Sequence, residues 1–551
     1  MEERQQLLSA DSESDDFSEK TVSSSYPSGE VDFSSDRPSE LPTGPKSVCT
    51  YEDAVSKIGV GKFTLLLTLI CGWANATDAV EVMCISLVLS SVQCEMPHVT
   101  SDDLGILTAM VFVGMMVGGY VWGSLGDIFG RKSMMALSLL TNGIFGFVSA
   151  FSPNFPVFVF FRFLSGVGVG GSVPLFFSYF AEFQPAVIRG SMISILASFW
   201  MIGQLLTAGI GWAVIPYQVD FYLGTYHMTP WRFFIALSTL CCISSGLLIY
   251  LLPESPKYLL QKGKRAEALL ILQRAYRLNT GNPGNSFPVV QLLTPVGTPT
   301  TPVRRNFNET SAATGWYRSA LSAVKEVIRQ TVALFRKSLV RITIALIVIN
   351  FALSFGYYGL SLWLPELFTR SRAGGHEGSI CGSPGGANSS GSASLNCSTD
   401  IQNPTVFRDA FLVSVSGVPT NLFTIIFLDR FGRKLIFILG IIISAGSVFL
   451  IYTVSTQTHV LILSCVFGSV QVLCWNCLDA LGTELYPTSL RTTAMGVSLI
   501  FARVGAILGN LLFGILIDSN CAIPLIIVAV LLLLGGVVTL TVPDTTRKEL
   551  T

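Results

Sequence analysis

Charge is what this chain of 551 residues has least of: Asp, Glu, Lys and Arg make up 13% of it, against 50% hydrophobic residues and a mean hydropathy of +0.58. A soluble chain carries about 25% charged residues, so this composition excludes a water-soluble globular protein and leaves a polytopic membrane protein. The first 48 residues contain no apolar h-region, which argues against a cleaved signal peptide. A phosphate-binding loop is also missing: the Gly-rich run Gly166-Val-Gly-Val-Gly-Gly171 lies inside an apolar span and suits close helix packing, which excludes an ATP-driven pump. No catalytic constellation, cofactor or metal is expected, and nucleic acid is not expected as a partner. Lys and Arg are absent from 93–104, 153–155, 216–230 and 456–458, whereas Arg131, Lys132, Arg189, Lys257, Lys262, Lys264, Arg265, Arg430, Arg433, Lys434, Arg491, Arg547 and Lys548 fall on the alternate side. That one-sided bias places the basic loops and both termini in the cytoplasm.

What the chain has is a repeat. Asp127, Gly130, Arg131 and Lys132, in a run that begins at Gly123, recur as Asp429, Gly432, Arg433 and Lys434, an offset of 302. Glu182, Pro185 and Arg189 recur at the same offset as Glu484, Pro487 and Arg491. Two motifs in register argue for two copies of one unit. Apolar runs long enough for a bilayer core of roughly 30 Å lie near 63–92, 105–125, 133–152, 156–179, 191–215, 232–252, 341–368, 408–428, 435–455, 459–481, 493–516 and 521–542. The expected fold is therefore an all-α membrane protein of twelve transmembrane helices in two six-helix, pseudo-symmetric halves, 49–256 and 341–551. A polar cytoplasmic tail at 1–48 reads as disordered. A cytoplasmic central loop at 257–340 and a luminal loop at 369–407 complete the plan.

The G-x-x-x-D-x-x-G-R-K loop, its repetition after the eighth span and Pro253-Glu254-Ser255-Pro256 after the sixth resemble the major facilitator superfamily. T-D-A-V-E-V, F-S-Y-F-A-E-F and C-W-N-C-L-D resemble the synaptic vesicle glycoprotein 2 group within it. The resemblance implies alternating access by two rocking halves, with substrate at their interface. The chain departs from that group in having only a short loop between spans seven and eight, so roles of the group's large luminal domain do not carry over.

A charged side chain within a span costs at least about 2.5–3.5 kcal/mol unless paired or wetted, which singles out Asp78, Glu81, Arg162, Asp479 and Arg503. Asp78 and Glu81 share a helix face, as Trp475 and Asp479 do. Two neighbouring carboxylates suit proton coupling; an ion pair of Arg162 with one of them would instead lock helices together. Trp200, Trp475 and Asp479 suit a small organic solute, an amine by cation-π attraction or a sugar by stacking. Gly123, Asp127, Gly130, Arg131, Lys132, Glu182, Arg189, Asp429, Gly432, Arg433, Glu484 and Arg491 are expected to gate, with bridges between Glu182 and Arg189 and between Glu484 and Arg491. In the luminal loop, Asn388 and Asn396 begin glycosylation sequons, and Cys381 with Cys397 form the expected disulfide. The four histidines, His98, His227, His376 and His459, lie at luminal positions that an acidic compartment would titrate. In the tail, Glu3, Leu7 and Leu8 resemble an acidic dileucine signal that binds clathrin adaptors. The reading is a proton-coupled carrier of a small polar solute in synaptic, secretory or endolysosomal vesicles; the alternative is a transport-inactive membrane glycoprotein that binds ligands and partners.

Overall fold

A computed structural model describes residues 47–96, 98–217, 221–223, 226–293, 328–336, 339–373, 403–454, 456–486 and 488–543. Among the described residues twelve long helices match the twelve apolar runs. The first six are α1 (Lys62–Glu95), α2 (Ser101–Phe129), α3 (Arg131–Ser149), α4 (Phe155–Glu182), α5 (Arg189–Val214) and α6 (Pro230–Ile249). The second six are α7 (Val340–Ala373), α8 (Pro404–Phe431), α9 (Arg433–Thr453), α10 (Gln457–Glu484), α11 (Thr488–Ile517) and α12 (Ala522–Leu540). Ten of them are long and apolar enough to cross a membrane. Of the other two, α3 opens on Arg131-Lys132, and α8 keeps its charged residues at its ends, leaving an uncharged run from Ala410 to Phe427.

The halves pack alike. The pairs α2·α4, α3·α4, α3·α6, α1·α5 and α1·α6 recur as α8·α10, α9·α10, α9·α12, α7·α11 and α7·α12. Between halves α2 meets α11, α5 meets α8, and α1 meets α7. Close approach explains the Gly-rich run of α4: a Cβ on Gly166 would lie 2.3 Å from the Val111 carbonyl oxygen, and one on Gly170 would lie 2.0 Å from that of Met115. Small residues let these backbones touch where lipid offers no hydrophobic drive.

Helix ends follow from local chemistry. Thr100 and Asp103 form a capping box at the start of α2, and the Asn154 side chain accepts from Val157 N at the start of α4. The repeated Gly-Arg-Lys sequence makes the turns into α3 and α9. Gly130 (φ 109°) and Gly432 (φ 88°) occupy backbone conformations that favour glycine. Lys132 N then donates to Glu254 Oε1 at 3.1 Å, and Lys132 Nζ to the Tyr250 carbonyl at 3.0 Å. Lys434 Nζ makes the matching bonds to Leu540 O (2.9 Å) and Val542 O (2.6 Å).

The face bearing these turns also bears both described chain ends, and it carries a small layer of its own. Strand β1 (Ser47–Cys49) pairs in parallel with β4 (Val289–Leu292), around the helices Tyr51–Ile58, Pro256–Gln261 and Arg265–Thr280. The last buries Ala268, Leu272 and Ala275, the helical spacing expected of that stretch. Its Asn279 Oδ1 accepts from Phe63 N (2.9 Å) and Thr64 N (3.2 Å), capping α1, which has no cap of its own. On the opposite face β2 (Phe221–Leu223) and β3 (Tyr226–Met228) form a short antiparallel hairpin between α5 and α6.

Two glycines of one motif should differ on substitution. Gly130→Ala places a Cβ 2.7 Å from Glu254 Oε2 at positive φ, so it should cost about 1–3 kcal/mol and lower the unfolding midpoint in detergent. At Gly123 an added methyl would meet nothing within 4 Å, so alanine there should leave stability unchanged or raise it by about 0.5–1 kcal/mol. Equal loss at both positions would refute the assignment.

Candidate transport site

In the first half a polar cluster joins α1, α3 and α4. Arg162 Nη1 pairs with Glu81 Oε1 at 2.5 Å, both side chains fully buried, and Ser165 Oγ donates to the same carboxylate oxygen. Three residues earlier on α1, Asp78 accepts from Ser172 Oγ and from Asn142 Nδ2 (3.4 Å) and has no ion-pair partner among the described residues. The carboxylates expected to act together are thus separated: Glu81 holds the cation and Asp78 is held by neutral donors. Glu81 Oε2 and Arg162 Nε and Nη2 have no hydrogen-bond partner among the described residues. The pair is therefore single-pronged, with capacity to spare on both sides.

Where the halves meet, a cavity of about 70 Å³ is lined from α1, α5, α7, α8 and α10. Its polar lining is Ser86, Gln204, Thr207, Tyr357, Ser361 and Ser414, and no charged residue lines it. Gln204 Nε2 donates to Tyr357 Oη at 2.6 Å across the halves. Trp200 is close enough to the Tyr357 hydroxyl to act on it, and Trp475 stacks edge-on to the same ring with centroids 6.3 Å apart. The two tryptophans therefore reach the cavity through Tyr357. Trp475 also touches the Tyr358 ring (6.2 Å), and its Nε1 is buried without a partner. Arg503 is close enough to act electrostatically on both Tyr358 and Asp78. Asp479 acts on the same phenol, yet its side chain is exposed.

The repeated motifs pair within their own halves. Arg131 binds Glu182, which also accepts from Ser255; Arg433 binds Glu484 at the equivalent place. The expected Glu182–Arg189 bridge is not made. Arg189 begins α5 and turns to Glu52 on the pre-α1 helix, at 2.5 Å, as well as to the Gln184 carbonyl. Likewise Glu484 takes Arg433, and Arg491 Nε has no partner. Asp127 is 78% exposed and lies 3.8 Å from Arg131. Tyr51 Oη donates to the Glu182 carbonyl at 2.6 Å; burial, with Glu182 and Glu52 nearby, pushes this phenol above its usual range, so it stays a donor. The Asp429 side chain lies outside the described residues.

On the opposite face stands a group that the sequence argument missed. Glu366, fully buried on α7, accepts from Ser90 of α1 and pairs with Arg370 Nε at 2.7 Å. Arg370 also reaches Asp518 (2.5 Å) and donates to Ser101 Oγ of α2 (2.8 Å). Glu366 is a carboxylate within the 341–368 run, so the cost of intramembrane charge was the signal that could have found it. Cys94 and Cys521 are disulfide-bonded. The residues Glu3, Leu7, Leu8, Cys381, Cys397, Asn388, Asn396 and His376 lie outside the described residues.

Two pseudo-symmetric six-helix halves around a central polar cavity define a membrane transporter rather than an enzyme. The sugar (and other) transporter family matches residues 60–291, and the major facilitator superfamily matches residues 410–551. Each half of the chain thus matches a transporter family model, and the chain has the major facilitator fold. Human synaptic vesicle glycoprotein 2B is 28% identical over 91% of this chain and 86% of its own. Rat synaptic vesicle glycoprotein 2A is 28% identical over 91% and 80% respectively. Among solved structures, the xylose transporter XylE from E. coli in a partially occluded inward-open conformation superposes with a TM-score of 0.63 at 19% identity, covering 89% of this chain and 100% of that one.

The buried pair yields a stability test. Arg162→Met should cost about 3–5 kcal/mol by stranding Glu81, and adding Glu81→Gln should recover part of that loss. A denaturant-unfolding cycle in detergent that finds the two losses additive would contradict direct pairing.

Proposed function

We propose that this protein is a proton-coupled carrier of a small neutral, hydroxyl-rich solute, working by alternating access in a vesicular membrane. The observation that carries the proposal is Asp78: a fully buried carboxylate bound only by neutral donors, one turn from an ion pair with unused bonding capacity. Such a group exchanges a proton at lower cost than a salt-bridged one, because no buried cation is stranded when it is neutralised. Arg503, on the other half, lies within electrostatic reach of Asp78 and of Tyr358, which packs beside Trp475. That chain of contacts links protonation in the first half to the aromatic wall of the second.

The cavity lining supports the solute class. Five hydroxyls and an amide with no charged residue suit a sugar-like ligand better than an amine, whose cation would be desolvated there without a counter-charge. The family name sugar (and other) transporter agrees with this choice. The pairs Arg131–Glu182 and Arg433–Glu484 serve as gate elements on the face bearing the described chain ends. Its excess of Lys and Arg supports placing that face in the cytoplasm. The similarity to synaptic vesicle glycoproteins, with Glu3, Leu7 and Leu8, supports a vesicular address reached through clathrin adaptors.

Purified protein in liposomes, given an imposed pH gradient and screened over sugars and amines, should accumulate a neutral polyol. Asp78→Asn should abolish gradient-driven accumulation while retaining ligand binding. Accumulation of an amine alone would refute the solute class, undiminished uptake in Asp78→Asn would refute the coupling site, and binding without uptake of any solute would favour a transport-inactive binding protein.

For sorting, Leu7→Ala with Leu8→Ala should move the protein to the plasma membrane in surface-biotinylation assays. An unchanged surface fraction would remove the dileucine assignment.

A further inference from the structure

The twelve cysteines divide six and six between the two halves of the chain. In the first half Cys49, Cys71, Cys84, Cys241 and Cys242 are free thiols, while Cys94, the only other cysteine before residue 257, is disulfide-bonded. The partner of Cys94 therefore lies in the second half of the chain. There Cys465, Cys474 and Cys477 are free, and Cys521 is disulfide-bonded. We infer that a disulfide from Cys94 covalently ties the two halves together on the face opposite the described chain ends.

Geometry independent of the cysteine count points the same way. Ser90 and Cys94 are four apart on α1 and share one face of it. Ser90 donates to Glu366 of the second half, so that face is turned across the interface. Cys521 precedes α12 by one residue and follows Asp518, which Arg370 holds while its other nitrogen reaches Ser101 of the first half. At the same end, a Cβ on Gly514 would lie 2.8 Å from Gly105 Cα, so the backbones of α11 and α2 meet. The halves are in contact where the cysteines sit.

Formation of the bond is a thiol–disulfide exchange. Two thiols give up two electrons and two protons to a protein disulfide of the secretory lumen, which leaves as its dithiol. Of the two faces only one remote from the reducing cytosol sustains such a bond. The mechanical consequence bears on alternating access: a disulfide holds its two Cα atoms within about 7 Å, so the two halves stay tethered to each other on that face throughout the cycle.

The test needs no knowledge of substrate. A protease site inserted in the central loop, between Leu293 and Ile328 of the full chain, lets the halves be cut apart after alkylation of free thiols. Without reductant the cleaved protein should run as one band on a denaturing gel, and with reductant as two. Cys94→Ser should give two bands in both lanes. Separation of the wild-type halves without reductant would overturn the inference, as would a Cys94→Ser protein whose halves stay joined. The gel reads out independently of transport, so its result stands apart from that of the uptake assay.

Discussion

The contact between Glu81 and Arg162 sets the terms for the first half of the molecule. Neither charge is tolerable alone at this depth, and each makes the other possible only if α1 and α4 stay within bonding distance. The glycines of α4 allow α2 to pack closely on another side of the same helix. Ser165 and Ser172, seven apart, present hydroxyls from one side of α4 to Glu81 and Asp78 in turn. The locking role of the ion pair and the proton-exchange role proposed for Asp78 are therefore not alternatives. By absorbing the cation, Glu81 leaves Asp78 free to change charge without unpairing Arg162.

The same division of labour appears at the turns between helices. A single backbone need, glycine at positive φ followed by two cations, is met twice at an interval of 302 residues, and both copies direct Arg to the end of the fourth helix of the half and Lys to the carbonyls after the sixth. These motifs were legible in the sequence because the chemistry of the turn permits few substitutes. Their partners were not. Glu182 is seven residues from Arg189 and far from Arg131 in the chain, but the turn at Gly130 brings the start of α3 to the end of α4 while Arg189 faces a helix that precedes the first span.

Within the site, every residue legible in advance apart from the tryptophans was charged, although Glu366, equally charged, was passed over. The cost of an intramembrane charge identified Asp78, Glu81, Arg162, Asp479 and Arg503 and brought four of them to the interface of the helices it concerns. Gln204 and Tyr357, which make the cross-half bond and line the cavity, carry no charge, so a search for intramembrane charge passes over them. Trp200 and Trp475 were visible as aromatics, but their action through Tyr357 depends on how α5, α7 and α10 converge. Cysteines in apolar helices usually read as small buried side chains; Cys94 departs from that rule because the end of α1 faces the other half.

The two faces differ in what holds them. On the face of the chain ends, the described ion pairs of the repeated motifs lie within one half each. At mid-depth and on the opposite face, bonds cross the halves: Gln204 to Tyr357, Ser90 to Glu366 and Arg370 to Ser101. A net value of about 1 kcal/mol per hydrogen bond makes the three worth about 3 kcal/mol, the size of gap that leaves a minor conformer populated at the per cent level. The closed face is thus held strongly enough to define a resting state and weakly enough for a bound solute or proton to shift it. A covalent tie at Cys94 changes how that energy is spent, since the halves cannot separate as two free bodies: breaking the polar contacts frees a motion whose reach the tie limits.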